Sequence, residues 1–158
     1  MDREKCCPRL DKGEWDKKEF VWEEKPFYRT KYRSAFYIPL NLGGVVKKAM
    51  DEISGRDLIP EQVMMLSKEE SMFSSTLLVS IKEDAGADDL PREKLSGKYL
   101  AMLFEGSYKE TGKWVKEIEN YLEEKGKRAD ELLFWYVTCP KCIKRYGGAQ
   151  TVIFAKTG

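Results

Sequence analysis

Histidine is absent from all 158 residues. That absence excludes Ser-His-Asp and Cys-His nucleophilic arrangements, histidine general bases and every histidine metal site. Proton transfer in this chain therefore falls to Glu, Asp, Tyr, Lys, Cys or water. An excess of charge is also missing: 28 basic and 27 acidic residues leave a net +1. Nucleic-acid binders concentrate Lys and Arg, so no nucleic-acid partner is expected. Long apolar runs are lacking too. The longest, such as 132–137, fall far short of the ~20 residues that a membrane helix needs. The opening Met1-Asp2-Arg3-Glu4-Lys5 has no signal-peptide character. The expectation is a cytoplasmic protein without a membrane partner or a cofactor.

What is present reads as a repeat. The first copy is an apolar strand at 36–40, a glycine turn at Asn41-Leu42-Gly43-Gly44, a helix over 45–54, and strands at 63–67 and 75–82. The second is a strand at 99–104, a turn at Gly106-Ser107, a helix over 108–125, and strands at 132–138 and 151–155. Residues 83–97 link them. One such unit is too small to bury its own apolar face, whereas two can enclose a core or a cleft. The fold class that follows is α+β, with duplicated β-α-β-β units, a mostly antiparallel sheet, two main helices and a ligand cleft between the halves.

Local signals support the helices. Asn41 is a candidate N-cap and Gly55 a stop for the first helix, with Val46, Met50 and Ile53 as its apolar stripe. Ser107 with Glu110 fits a capping box for the second, and Gly126 ends it. Residues 1–35 form an extension packed on a domain of residues 36–158. The extension carries Trp15, Phe20, Trp22, Phe27, Tyr28 and Tyr32 among charges, without a clean period, and Pro8 and Pro26 discourage long regular elements. It reads either as a structural strap or as one wall of a ligand cleft. The basic cluster 29–33 reads as a solvated approach to the first strand.

Three groups could carry chemistry. Cys139-Pro140-Lys141-Cys142, with Cys6 and Cys7, makes a four-cysteine zinc or redox site arithmetically available. Adjacent Cys6-Cys7 cannot easily converge on one metal, however, and Gly147-Gly148 favour a loop, so packed thiols or a clamp are preferred and no metal is assigned. Glu105 ends an apolar strand between Phe104 and Gly106. Aromatic surroundings would suit it to general acid or base work, and a helix-start charge is the equal alternative. The third group is aromatic: Tyr37, Phe73, Tyr108, Trp114 and Trp135 or Tyr136 could ring a cleft. Strand neighbours face opposite ways, so Trp135 and Tyr136 cannot both line it.

Phe104-Glu105-Gly106-Ser107-Tyr108, Gly112-Lys113-Trp114 and the stretch from Phe134 through Cys139-Pro140-Lys141-Cys142 to Gly147 resemble a GyrI-like small-molecule-binding protein. More narrowly, they are similar to the short, stand-alone bacterial members described as hydrolases. Cys6-Cys7-Pro8, Trp15-Asp16 and Ile38-Pro39-Leu40-Asn41 extend the resemblance over most of the chain. It implies a cleft that binds hydrophobic, often cationic molecules, and in one branch hydrolysis of strained cyclopropanoid electrophiles by an aromatic cage with carboxylates. Tyr108 matches a pocket aromatic of the drug-binding relatives, and Tyr136 matches the tyrosine after their ligand-binding glutamate. Phe134 stands where that glutamate would be, which leaves Glu105 to supply the charge, with Glu69, Glu70 and Glu131 as alternatives. The resemblance thus implies a binder of hydrophobic or aromatic xenobiotics that hydrolyses strained electrophiles through Glu105. A non-catalytic sequestering protein and a four-cysteine zinc or redox protein are the alternatives. No DNA-reading helix-turn-helix is expected ahead of the domain.

Overall fold

Tyr28, Thr30, Tyr32 and Ser34 alternate with Arg29, Lys31 and Arg33, and in the computed structural model this period of two is the second half of a long strand. The structure describes residues 9–35, 38–60, 63–71, 73–82, 90–138, 142–144 and 147–158. Its elements run α1 (Lys12–Trp15), β1 (Lys18–Ala35), β2 (Ile38–Pro39), α2 (Leu42–Gly55), β3 (Met65–Ser71), β4 (Ser74–Ser80), β5 (Arg92–Glu105), a 3-10 turn (Tyr108–Glu110), α3 (Thr111–Glu124), β6 (Glu131–Tyr136) and β7 (Gln150–Lys156). They form two units: Trp22–Ser96, and Met1–Val21 with Gly97–Gly158.

Each unit repeats one plan. In Trp22–Ser96, β4 pairs antiparallel with β1 from Phe27↔Ser80 to Arg33↔Ser74, and with β3 from Met65↔Val79 to Ser71↔Ser74. In the other unit, β7 pairs antiparallel with β5 from Tyr99↔Lys156 to Glu105↔Gln150, and with β6 from Glu131↔Lys156 to Tyr136↔Thr151. The last strand of each copy lies between the first and the second. A helix then covers one face. Ala49 and Ile53 of α2 pack on Tyr32, Leu77 and Val79, while Trp114, Ile118 and Leu122 of α3 pack on Met102, Phe104, Phe134 and Ile153. Among the described residues no helix is long and apolar enough to cross a membrane.

Several local expectations are corrected. β1 holds the position of the first strand; of the strand expected at 36–40, the described Ile38–Pro39 form only the two-residue β2, paired at Ser34↔Pro39 and Ala35↔Ile38. Pro26 does not prevent β1, because it lies just outside the β4 ladder and loses no ladder bond, while its carbonyl accepts the Ile81 N–H at 3.3 Å. The charges at 29–33 are therefore the outer face of a strand rather than an approach to one. The capping box at Ser107 does not form. Ser107 Oγ accepts the Lys109 N–H at 3.2 Å within the 3-10 turn, and Glu110 Oε1 holds Lys113 Nζ at 3.2 Å instead of reaching back.

The helix ends show how far the duplication goes. Both close with the same pair of backbone bonds: Leu58 N–H to Ile53 and Asp57 N–H to Ser54 after α2, Lys127 N–H to Leu122 and Gly126 N–H to Glu123 after α3. The left-handed residue is Gly126 in one copy (φ 71°) and Asp57 in the other (φ 58°). Gly55, the expected stop, is still helical, and Asp57 takes its role because a short polar side chain tolerates that conformation. A Cβ added at Gly126 would meet nothing within 4 Å, so substitution there isolates backbone strain. Gly126→Ala is expected to lower the unfolding free energy by about 1–2 kcal/mol, read from urea denaturation; an unchanged midpoint would show that the left-handed turn is not required.

Candidate functional site

The unit made of Met1–Val21 and Gly97–Gly158 holds the chemistry that can be followed atom by atom. Alternation divides its sheet into two faces. Leu100, Met102, Phe104, Phe134, Ile153 and Ala155 meet α3. The neighbouring residues Leu103, Glu105, Trp135, Gln150 and Phe154 look the other way, where residues 9–20 lie. Trp15 meets Trp135 edge-on at 5.4 Å and 72°, and Phe20 meets Phe154 at 6.0 Å and 63°.

Polar groups fix that segment. Gln150 is 1% exposed, so its amide needs partners in the protein. Gln150 Oε1 accepts the Leu10 N–H at 2.8 Å, and Nε2 donates to the Leu10 carbonyl at 3.0 Å and to Glu105 Oε2 at 3.2 Å. Arg9 Nη2 stands 3.9 Å from the same carboxylate oxygen, and Arg9 Nη1 donates to the Gly148 carbonyl at 3.4 Å. Further along, Asp16 Oδ1 accepts the Leu103 N–H at 3.0 Å, so a side chain replaces a neighbouring strand at that point of β5. Glu105 itself is half exposed, at 54%. The partners of its carboxylate are an amide and a guanidinium rather than the aromatic rings expected from sequence. No described residue bonds its second oxygen, Oε1.

Beside this carboxylate runs an open groove of about 570 Å³, between β5, the start of α3 and residues 12–17. Seven of its eleven lining residues are charged, Glu105, Lys113 and Asp16 among them, and Met102, Phe104 and Trp114 lie nearly buried beneath. Gly106 is required by its φ of 142°, while the Trp114 ring, 3.6 Å from where a Cβ would stand, would be in ordinary contact. Trp114 stacks on Phe104 at 5.4 Å and 12°.

The groove thus brings together Glu105 and Trp114 of the residues singled out in the sequence. Trp135 is buried under Trp15, and Tyr136 stacks on Phe134 at 6.2 Å on the α3 side. Phe73 is 58% exposed at the β3–β4 turn of the other unit. Tyr108 opens the 3-10 turn. Glu131 pairs in register with Lys156, at the opposite end of β7 from Glu105; Glu69 and Glu70 belong to β3. Tyr37, Cys6, Cys7 and Cys139 lie outside the described residues. Cys142 is buried, and among the described residues no three Cys, Asp or Glu side chains gather as a metal site. Sequence reading passed over Arg9 and Gln150, and took Asp16 only as part of the family resemblance. Only Gln150 left a signal, as a lone amide opening an apolar strand.

A family model described as bacterial hydrolase matches residues 1–157. The chain belongs to that family. A search of curated proteins gives no match. Among solved structures this bacterial hydrolase family member is similar to an uncharacterized conserved protein from Listeria innocua, with 11% identity, 91% of this chain and 94% of that chain covered, and a TM-score of 0.65. It is also similar to a hydrolase from Listeria innocua, with 12% identity, coverage of 89% and 91%, and a TM-score of 0.62. The structure of SAV2435 bound to tetraphenylphosphonium is similar at 11% identity, with coverage of 89% and 93% and a TM-score of 0.56. At such identities the likeness is one of fold.

Gln150→Ala would leave the Leu10 N–H, the Leu10 carbonyl and one Glu105 oxygen without their amide. A loss of about 1–3 kcal/mol is expected in urea denaturation, together with faster hydrogen exchange at the Leu10 amide. Unchanged exchange at Leu10 would show that the amide does not hold the segment.

Proposed function

We propose that this member of the bacterial hydrolase family binds a small hydrophobic, aromatic molecule beside β5 and hydrolyses it with Glu105 as acid and base. The observation that carries the reading is the split environment of one carboxylate. Oε2 is held by Gln150, no described residue bonds Oε1, and Glu105 lines the groove. A fixed carboxylate has fewer orientations to lose when it binds and aligns a water, which favours the reacting geometry. The groove volume falls in the range of ~300–1,000 Å³ typical of small-molecule sites. Met102, Phe104 and Trp114 lie beneath a charged rim, and a protein of the same fold holds tetraphenylphosphonium.

The substrate class is that of the GyrI-like hydrolases which the sequence resembles: an electrophile with a strained ring conjugated to a carbonyl. Glu105 takes a proton from water while the water oxygen bonds to the ring carbon. The strained carbon–carbon bond breaks, and its electron pair passes into the conjugated carbonyl oxygen, which is protonated in turn. None of these transfers needs histidine.

Glu105→Gln keeps the size and polarity of the side chain. Against a panel of cyclopropane-bearing aromatic electrophiles, turnover should fall by about a hundredfold or more, while binding measured by calorimetry stays within a few-fold. Intact turnover would remove Glu105 from the mechanism. Binding without turnover by the unaltered protein would instead favour a sequestering protein that uses the same groove.

A further inference from the structure

A second recess of about 220 Å³ opens in the same unit, toward the far end of α3 from Glu105. Leu100, Tyr121 and Leu122 form its floor, and Lys17, Lys125, Lys127 and Glu19 stand around it. The lysines come from separate stretches of chain. Lys17 occupies the turn between α1 and β1 with φ 56°, and the other two follow α3. Lys17 Nζ and Lys125 Nζ each lie 5.2 Å from the centroid of the Tyr121 ring.

Such an arrangement has an electrostatic cost. Two ammonium groups sharing one ring repel each other, and each cation–π contact contributes only ~0.5–1 kcal/mol at an exposed site. Glu19 is the single carboxylate of the recess, and it is taken by Lys127 at 3.6 Å. Lys17 and Lys125 have no carboxylate partner among the described residues. The recess is therefore left with two uncompensated positive charges above an apolar and aromatic floor. Complementing the C-terminal dipole of α3 accounts for Lys125 and Lys127. It does not account for Lys17, which reaches the same ring from another segment.

We infer that this recess is a binding site for an amphiphilic organic anion, with a carboxylate or sulfonate on the Lys17 and Lys125 ammonium groups and a flat body on Tyr121, Leu100 and Leu122. It adjoins the Glu105 groove through Lys17 but does not include Glu105, and the inference stands whether or not Glu105 is catalytic. An anion here answers both charges at once and forms charge-assisted hydrogen bonds, roughly twice as strong as neutral ones.

The probe is naphthalene-2-sulfonate, with uncharged 2-naphthalenemethanol as its control, titrated into the full chain by calorimetry and by amide chemical shifts. The sulfonate should bind more tightly than the alcohol, perturb the amides around Tyr121 and weaken as salt is raised. Lys17→Gln with Lys125→Gln should weaken it by about tenfold or more and leave the alcohol unchanged. Glu19→Gln, which removes the one competing carboxylate, should tighten it. Glu105→Gln should have no effect, which separates this site from the catalytic reading. Sulfonate affinity unchanged in the double lysine variant, or equal for sulfonate and alcohol, would overturn the inference. So would a double variant that lowers the urea midpoint and nothing else, since the lysines would then serve α3 alone.

Discussion

The amide of Gln150 is a buried polar group that must find partners, and much of the Glu105 neighbourhood follows from how it finds them. Its backbone donates to Thr138 Oγ1 at 3.1 Å, and its side chain is divided between Leu10 and Glu105. Because it opens β7 opposite Glu105 in register, one side chain links a sheet, an N-terminal segment and the carboxylate at the groove. An unsatisfied amide at that depth would cost on the order of 1–3 kcal/mol, so the segment from residue 9 is bound to the sheet by the same need that orients Glu105. Trp15 and Phe20 add their rings to Trp135 and Phe154 once that connection is made.

Duplication sets the scaffold in which this occurs. Each copy places its last strand centrally and ends its helix with the same two backbone bonds, yet the residues that achieve this differ, Asp57 in one and Gly126 in the other. Backbone geometry has persisted where side chains have not. The copies have diverged in what they expose. One carries alternating basic residues on the outer face of β1, and the other carries an acidic strand end at Glu105 and a lysine-rimmed recess beside Tyr121.

The absence of histidine leaves proton transfer to Glu, Asp, Tyr, Lys, Cys or water, and in the proposed mechanism Glu105 takes that part. Its environment is polar and anchored rather than aromatic. The reactivity assigned to Glu105 therefore rests on orientation by Gln150, and not on desolvation by neighbouring rings.

Periodicity and turn residues were enough to read the α+β class, the repeat, both helices and four of the strands to within a few residues, because these are local properties of the backbone and its apolar faces. Strand β1 escaped that reading although Tyr28 to Ser34 alternate cleanly, since Glu24 at φ 49° and the adjacent buried pair Pro26-Phe27 interrupt the pattern before it. Glu105 and Trp114 stood out in the sequence as single residues, and the groove that joins them did not. The grouping of Arg9, Leu10 and Gln150 around one carboxylate, and of Lys17 with Lys125 around one tyrosine, spans more than a hundred positions of chain. Pairings of that kind depend on strand register and on which face a residue takes, and only the folded chain decides those.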